Sequence, residues 1–67
     1  MPKTLNKAQM ELLATAVMHE EFSSESGDPE DTRIAHANVV TLNGLFAEAG
    51  YEVPAFLDYE EILWGDR

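Results

Sequence analysis

The sequence predicts an all-α fold, an antiparallel helical hairpin at about residues 7–22 and 29–49 with a short C-terminal helix at about residues 59–64. Polar residues stand where helix N-caps are expected, and glycines stand where helices are expected to end. Between them the apolar residues recur at helical spacing, and no stretch alternates as a strand does, so no strand is predicted. The 67 residues suffice for a single small domain, 1–67.

The first helix is expected to begin after Asn6. Asn6 is a preferred N-cap residue, and Gln9 can return a hydrogen bond to it in a capping box. The apolar residues that follow cover more than half of the circumference, whereas a helix with one neighbour needs a stripe only somewhat wider than ~100°. This helix is therefore either sandwiched within the chain or also packed against a second copy. We expect it to end near Phe22, before a polar connection at residues 23–27.

The second helix has the strongest start signal. Asp28 fits the N-cap, Pro29 is tolerated in the first turn, and the next two carboxylates favour the positive end of the helix dipole. Gly50 is the expected stop, and Tyr51 can fold back onto the helix at Phe46. The residues expected on its apolar face are Ile34, Ala35, Asn38, Val39, Leu42, Leu45, Phe46 and Ala49.

The dipeptide Asn43-Gly44 argues against a continuous second helix. It is common in turns, and a glycine inside a helix costs about 1 kcal/mol relative to alanine. The apolar stripe nevertheless keeps its phase through Gly44. A continuous helix with a close contact at this glycine is therefore favoured over a break.

The third helix repeats the start signal of the first on a smaller scale. Asp58 is the expected N-cap, Glu61 stands at the third helical position, and Gly65 closes the helix. A helix of about six residues is not stable alone. It must dock through its apolar side chains, among which Tyr59 and Trp64 are the largest.

The charge of the chain restricts its partners. Thirteen acidic side chains against four basic ones give a formal charge of −9. Nucleic-acid binding needs basic clusters that contact phosphates, and anionic membranes also attract basic residues, so neither partner is expected. The charge favours a basic protein partner. Alternatively, it serves only to keep a small protein soluble.

The residue types that carry catalysis are scarce. The chain has no cysteine, which excludes disulfides and thiolate chemistry. The acidic pairs that could share a helix face include neither His19 nor His36, and the three serines of the predicted connection lack a glycine elbow. We expect no enzymatic activity, metal site or cofactor. Because no segment resembles a signal peptide or approaches the ~18 apolar residues of a membrane span, a cytoplasmic location is expected.

Largely by elimination, the sequence predicts a non-catalytic acidic interaction module or inhibitor. Its partner is expected to be a basic protein, for example one that handles nucleic acid, with the carboxylates acting as phosphate or DNA mimics. Such an economical chain is typical of phage-like proteins that block host machinery. The candidate partner-binding acids are Glu20, Glu21, Glu25, Asp28, Glu30, Asp31, Glu52, Asp58, Glu60 and Glu61.

Aromatic residues are concentrated near the C-terminal end, where residues 51–64 hold four of the six. Tyrosine and tryptophan are common interface anchors, because they bury much area while losing little rotamer freedom. The same rings could instead simply cover the open side of the hairpin. The aromatic and apolar candidates for partner binding are Tyr51, Tyr59, Ile62 and Trp64.

A homodimer is also expected, because burial barely offsets the cost of ordering so small a domain. The wide apolar surface of the first helix and the glycine in the second both suit packing between copies. Two alternative functions remain open at this point. One is a homodimeric structural or regulatory protein without charge mimicry, and the other is a small-ligand binder at a helical dimer interface.

Overall fold

Two long helices and one short helix account for most of the structure. The computed structural model describes residues 2–65, in which α1 spans Lys7–Ser26, α2 spans Pro29–Glu48 and α3 spans Tyr59–Trp64. Two short strands, β1 at Lys3–Thr4 and β2 at Tyr51–Glu52, flank the hairpin. The predicted helical hairpin with a short third helix is thus confirmed.

Each helix begins at the cap residue that the sequence predicts. The Oδ1 atom of Asn6 accepts a hydrogen bond from the Gln9 backbone at 2.8 Å, and Gln9 Oε1 accepts one from the Asn6 backbone at 2.9 Å. Asp28 accepts from the backbone of the second residue of α2 at 3.1 Å. Asp58 accepts from the backbone of the third residue of α3 at 3.2 Å. These bonds satisfy amide groups that have no partner within the helix.

The connection between the long helices is shorter than the sequence suggested. The predicted end near Phe22 is wrong, because α1 continues to Ser26 and only Gly27 and Asp28 separate the two helices. The Ser26 hydroxyl donates to the Ser23 carbonyl at 2.8 Å and so satisfies a backbone group of the last turn. Gly27 ends the helix with φ at 85°, in the left-handed region that glycine tolerates best.

The two strands, which no alternating pattern indicates, pair in parallel at the end of the hairpin opposite this turn. Lys3 lies opposite Tyr51 in the register. The ammonium group of Lys3 lies 4.8 Å from the centroid of the Tyr51 ring. Tyr51 also packs edge-on against Phe46, with ring centroids 6.1 Å apart, which confirms the predicted contact. The N-terminal segment is thereby fastened to the chain that follows α2.

α1 lies between the other two helices and contacts both, whereas α2 and α3 do not contact each other. Part of the wide apolar surface of α1 is therefore covered by two neighbours within the chain, whereas Leu12 is 53% exposed. The segment that leads into α3 crosses one face of the hairpin, where Pro54–Leu57 line a groove together with Leu13 and Val39. The result is a flat molecule of about 40 × 30 × 16 Å.

The core is small. Among residues 2–65 the buried apolar side chains are Leu5, Leu13, Ala14 and Ala35. Four of the eight residues predicted on the apolar face of α2 are exposed, namely Ile34, Asn38, Leu45 and Ala49. None of the helices in this range combines the length and the apolar character needed to cross a membrane.

α2 is continuous through Gly44, as predicted. The close contact expected at this glycine is wrong, because a Cβ atom added there would meet nothing within 4 Å. α2 ends at Glu48 with Ala49 as its cap, and Gly50 follows in the left-handed region with φ at 95°, so Gly50 stops the helix as predicted.

Candidate functional site

Three aromatic rings form a row where α3 packs against the end of α1. Tyr59 is in the middle, with its ring centroid 6.4 Å from that of Phe22 and 6.4 Å from that of Trp64. Both pairs are edge-on, with interplanar angles of 86° and 70°, a favourable geometry for aromatic pairs. Phe22 is 53% exposed and Trp64 is 59% exposed. This aromatic row (Phe22, Tyr59, Trp64) therefore lies at the surface.

The cap of α3 explains the position of the row. Because Asp58 begins the helix, Tyr59 is its first residue and faces the last turns of α1. The Tyr59 hydroxyl donates to Oε1 of Glu21 at 3.1 Å. This bond joins two residues that are 38 positions apart in the sequence and fastens α3 onto α1.

Carboxylates surround the central ring. Burial of Tyr59, its hydrogen bond to Glu21, and the negative charges of Glu21, Glu60 and Glu25 together raise the pKa of the phenol above its ordinary value. Asp58 borders the same shallow depression as Glu21, Tyr59 and Glu60. We call these four carboxylates and the aromatic row together the acidic–aromatic surface.

Phe56 also borders this depression and is among the most exposed apolar side chains of the molecule. Neither Phe56 nor Phe22 is among the candidates that the sequence suggested. Phe22 was expected to be the last residue of its helix, and its approach to Tyr59 depends on the docking of α3. No local signal in the sequence reveals that contact.

Other predicted acids make bonds within the chain at the turn between α1 and α2. Glu20 Oε2 accepts a hydrogen bond from Nδ1 of His36 at 2.6 Å, an interhelical pair that the sequence reasoning missed. The carboxylate of Glu30 pairs with Arg33 at 2.9 Å. Asp28 caps α2, as described above. These three carboxylates therefore bond groups within the chain itself.

Asp31 connects the two long helices at the turn. Its Oδ2 atom accepts a hydrogen bond from the Ser23 hydroxyl at 2.6 Å and lies 3.8 Å from Nε2 of His19. Ser23 is the buried polar residue of the described chain. The expectation that Ser23 lies in the connection between the helices is therefore wrong, because it is helical, buried and bonded to Asp31.

The remaining candidates lie apart from the acidic–aromatic surface or at its edge. Tyr51 and Glu52 form β2, at the opposite end of the hairpin. Ile62 is half-buried in α3, and the Glu61 side chain is exposed on the same helix. The structure thus brings together Tyr59 and Trp64 with part of the predicted acids and separates them from the strand residues.

The acidic–aromatic surface offers acceptor oxygens and π faces side by side. Carboxylates bind guanidinium and ammonium groups, and aromatic faces attract the same cations. Within residues 2–65, no three His, Asp or Glu side chains lie close enough together to hold a metal ion. Comparisons with protein-family models, with curated proteins and with solved structures found no match.

Proposed function

We propose that the protein is a non-catalytic, cytoplasmic interaction module that binds a basic segment of another protein at the acidic–aromatic surface. The observation that supports this proposal is the grouping of Glu21, Glu25, Asp58 and Glu60 around an exposed aromatic row. Binding inhibits the partner protein when that protein needs the same basic segment for another contact.

Arginine is the cation that this surface suits best. The guanidinium group is planar, bonds carboxylates through two parallel hydrogen bonds and stacks on aromatic faces. Lysine makes a point-like contact and gains less from a neighbouring ring. An arginine-containing segment can therefore bond Glu21 or Glu60 and stack on the exposed ring of Phe56, which borders the same depression.

The net charge of −9 adds long-range attraction to these short-range contacts. Many basic segments of this kind contact nucleic-acid phosphates through arginine and lysine. The carboxylates of the acidic–aromatic surface would compete with those phosphates, which is the phosphate-mimic form of the proposal. Attraction of this kind weakens as salt rises, because the screening length falls from roughly 14 Å at ~50 mM to roughly 4 Å at ~500 mM.

An oligoarginine peptide of nine residues tests the proposal directly. Trp64 is the only tryptophan of the chain and belongs to the aromatic row, so its fluorescence reports binding at that place. We expect saturable quenching at ~50 mM salt, tighter binding than with the matching oligolysine, and weaker binding at ~500 mM salt.

Two double variants separate a local site from overall charge. Glu25→Gln with Glu60→Gln removes two charges next to Tyr59, and Glu48→Gln with Glu52→Gln removes two charges at the far end of the hairpin. We expect about tenfold weaker binding for the first pair, about 0.7 kcal/mol per charge, and less than about threefold for the second. Equal losses, with helix content retained in both, would refute a localised site.

A further inference from the structure

Exposed residues without formal charge line the uncovered face of the hairpin. The segment that leads into α3 covers one face, and no other segment of residues 2–65 lines the groove on the opposite face. Along this uncovered side, exposed residues recur at alternating spacings of three and four. The residues on α1 are Leu12, Thr15, His19 and Phe22, and those on α2 are Ile34, Asn38, Thr41 and Leu45. We call these eight residues the open face.

A groove runs between the two helices within the open face. It encloses about 450 Å³, and its lining is half apolar (Leu12, Ala16, Met18 and Leu42) and half polar (Thr15, His19, Asn38 and Thr41). Spacings of three and four residues are typical of the seam along which helices pack side chains into one another's gaps. The groove therefore has the shape and the periodicity of a helix-packing surface.

The charge distribution favours a second copy of the chain as the occupant. None of the residues that line this groove is Asp, Glu, Lys or Arg, although a quarter of the chain is charged. A basic partner would be attracted to the acidic residues elsewhere on the molecule. Two chains that each carry −9 repel each other least across such an uncharged groove. One half-exposed carboxylate, that of Asp31, lies beside it, with Oδ2 3.8 Å from Nε2 of His19.

The dimensions also fit a second copy. The chain has a radius of gyration of 12.5 Å, against about 11 Å for a compact domain of this length. Its accessible surface is 4778 Å², against about 4250 Å² for a monomer of this mass. A helix pair ~30 Å long and ~20 Å wide covers roughly 600 Å² on each copy. Together the two copies would reach about the ~1200 Å² at which specific interfaces begin.

We propose that two copies pack open face to open face and form a four-helix bundle with two-fold symmetry. Each copy contributes α1 and α2, and Leu12 and Leu45 enter the groove of the other copy. Asn38 and Thr41 are polar residues within the seam, where such side chains fix the register between helices. Phe22 belongs to both surfaces, and the other residues of the open face lie outside the acidic–aromatic surface.

Two glutamate substitutions in α2 form a matched test. Leu45 is 57% exposed on the open face, and Val40 is 54% exposed on the other side of the same helix. Sedimentation equilibrium from ~5 to ~500 µM should give twice the 7.5 kDa chain mass for the parent protein. Leu45→Glu places a carboxylate from each copy in the interface and should weaken the dimer at least about a hundredfold. Val40→Glu should change the dimer constant by less than about threefold.

A second open-face variant controls for folding. Thr41 is exposed, and Thr41→Glu introduces a better helix former, so far-ultraviolet circular dichroism should show no loss of helix. This variant should also sediment as a monomer. A parent protein that stays at the single-chain mass at ~500 µM would overturn the proposal. So would equal weakening by Val40→Glu and Leu45→Glu, or a dimer weakened by Trp64→Ala as strongly as by Leu45→Glu.

Discussion

The two faces of the α1/α2 hairpin differ in what covers them, although the same two helices supply both. Leu12 and Leu13 are neighbours in the sequence, yet Leu13 is 1% exposed and Leu12 is 53% exposed. Leu13 lies beneath the segment Pro54–Leu57, whereas Leu12 borders the open groove. A chain of 67 residues can cover one face of such a hairpin with its C-terminal part and has no further segment among residues 2–65 over the other.

The two sides of the molecule also differ in charge. Glu21, Asp58 and Glu60 border the depression beside the covering segment, whereas no Asp or Glu lines the groove on the open face. Charged and uncharged surfaces favour different partners, because one depends on long-range attraction and the other on apolar burial. The difference indicates that a basic partner and a second copy can be accommodated on different parts of one small chain.

The largest expected effect comes from truncating the two adjacent leucines. Leu13→Ala leaves a cavity beneath the covering segment and should lower the free energy of unfolding by about 2–5 kcal/mol. Leu12→Ala removes a half-exposed side chain and should cost less than about 1 kcal/mol at low micromolar concentration. Urea unfolding followed by circular dichroism measures both.

Protein concentration extends this comparison. If the open face is a dimer interface, the cost of Leu12→Ala should grow with protein concentration, because the parent dimer is then increasingly stabilised by mass action. The cost of Leu13→Ala at low concentration reflects the core of the single chain. Equal costs for the two variants at low concentration would contradict the distinction between a covered and an open face.

A smaller effect is expected at the turn, where a polar contact closes the end of the hairpin. Ser23→Ala removes the hydrogen bond to Asp31 and should destabilise the chain by about 1 kcal/mol, since the half-exposed carboxylate can bond water instead. Ser24→Ala is the matched control, because this exposed serine lies in the same helical turn and gains the same helix propensity. Urea midpoints that shift alike for the two variants would show that the Ser23 contact contributes nothing.

The starts of the helices could be predicted because a cap depends on residues within one turn. Asn6 with Gln9, Asp28 and Asp58 all function as the sequence indicates. The end of α1 could not be predicted in the same way. Its last turns contain Ser23, whose hydroxyl donates a hydrogen bond to the Asp31 carboxylate of the next helix. Helix propensities of neighbouring residues do not reveal a bond between two helices.

Part of the candidate site could also be predicted, because residue type alone carries some of the information. Composition pointed to Tyr59 and Trp64 and to the surrounding acids, because residue type alone suggests interface anchors and charge. The approach of Phe22 to Tyr59 and the pair of Glu20 with His36 both depend on how the helices pack. Packing also decides that Ile34 and Leu45 are exposed, since helical periodicity fixes only their angular positions.

The smallest expected effect concerns the attachment of the covering segment to α1. It is measured as the dependence of the free energy of unfolding on pH. The Tyr59 hydroxyl bonds Glu21, and the environment raises the pKa of this phenol. A group whose pKa is higher in the folded state stabilises the fold fully below its unfolded pKa of about 10, and this contribution is lost as pH rises through the folded pKa. The free energy of unfolding should therefore fall above about pH 10 more steeply in the parent protein than in Tyr59→Phe.

Absorbance at 295 nm follows tyrosine ionisation directly, and Trp64 fluorescence follows the aromatic row. Glu21→Gln removes a negative charge next to the phenol, so Tyr59 should ionise at a lower pH in this variant than in the parent. Ionisation places a negative charge beside Glu21, Glu25 and Glu60, which should loosen α3 and the segment before it from α1. If the free energy of unfolding falls equally above about pH 10 in the parent protein and in Tyr59→Phe, the hydrogen bond from Tyr59 to Glu21 does not hold the covering segment on α1.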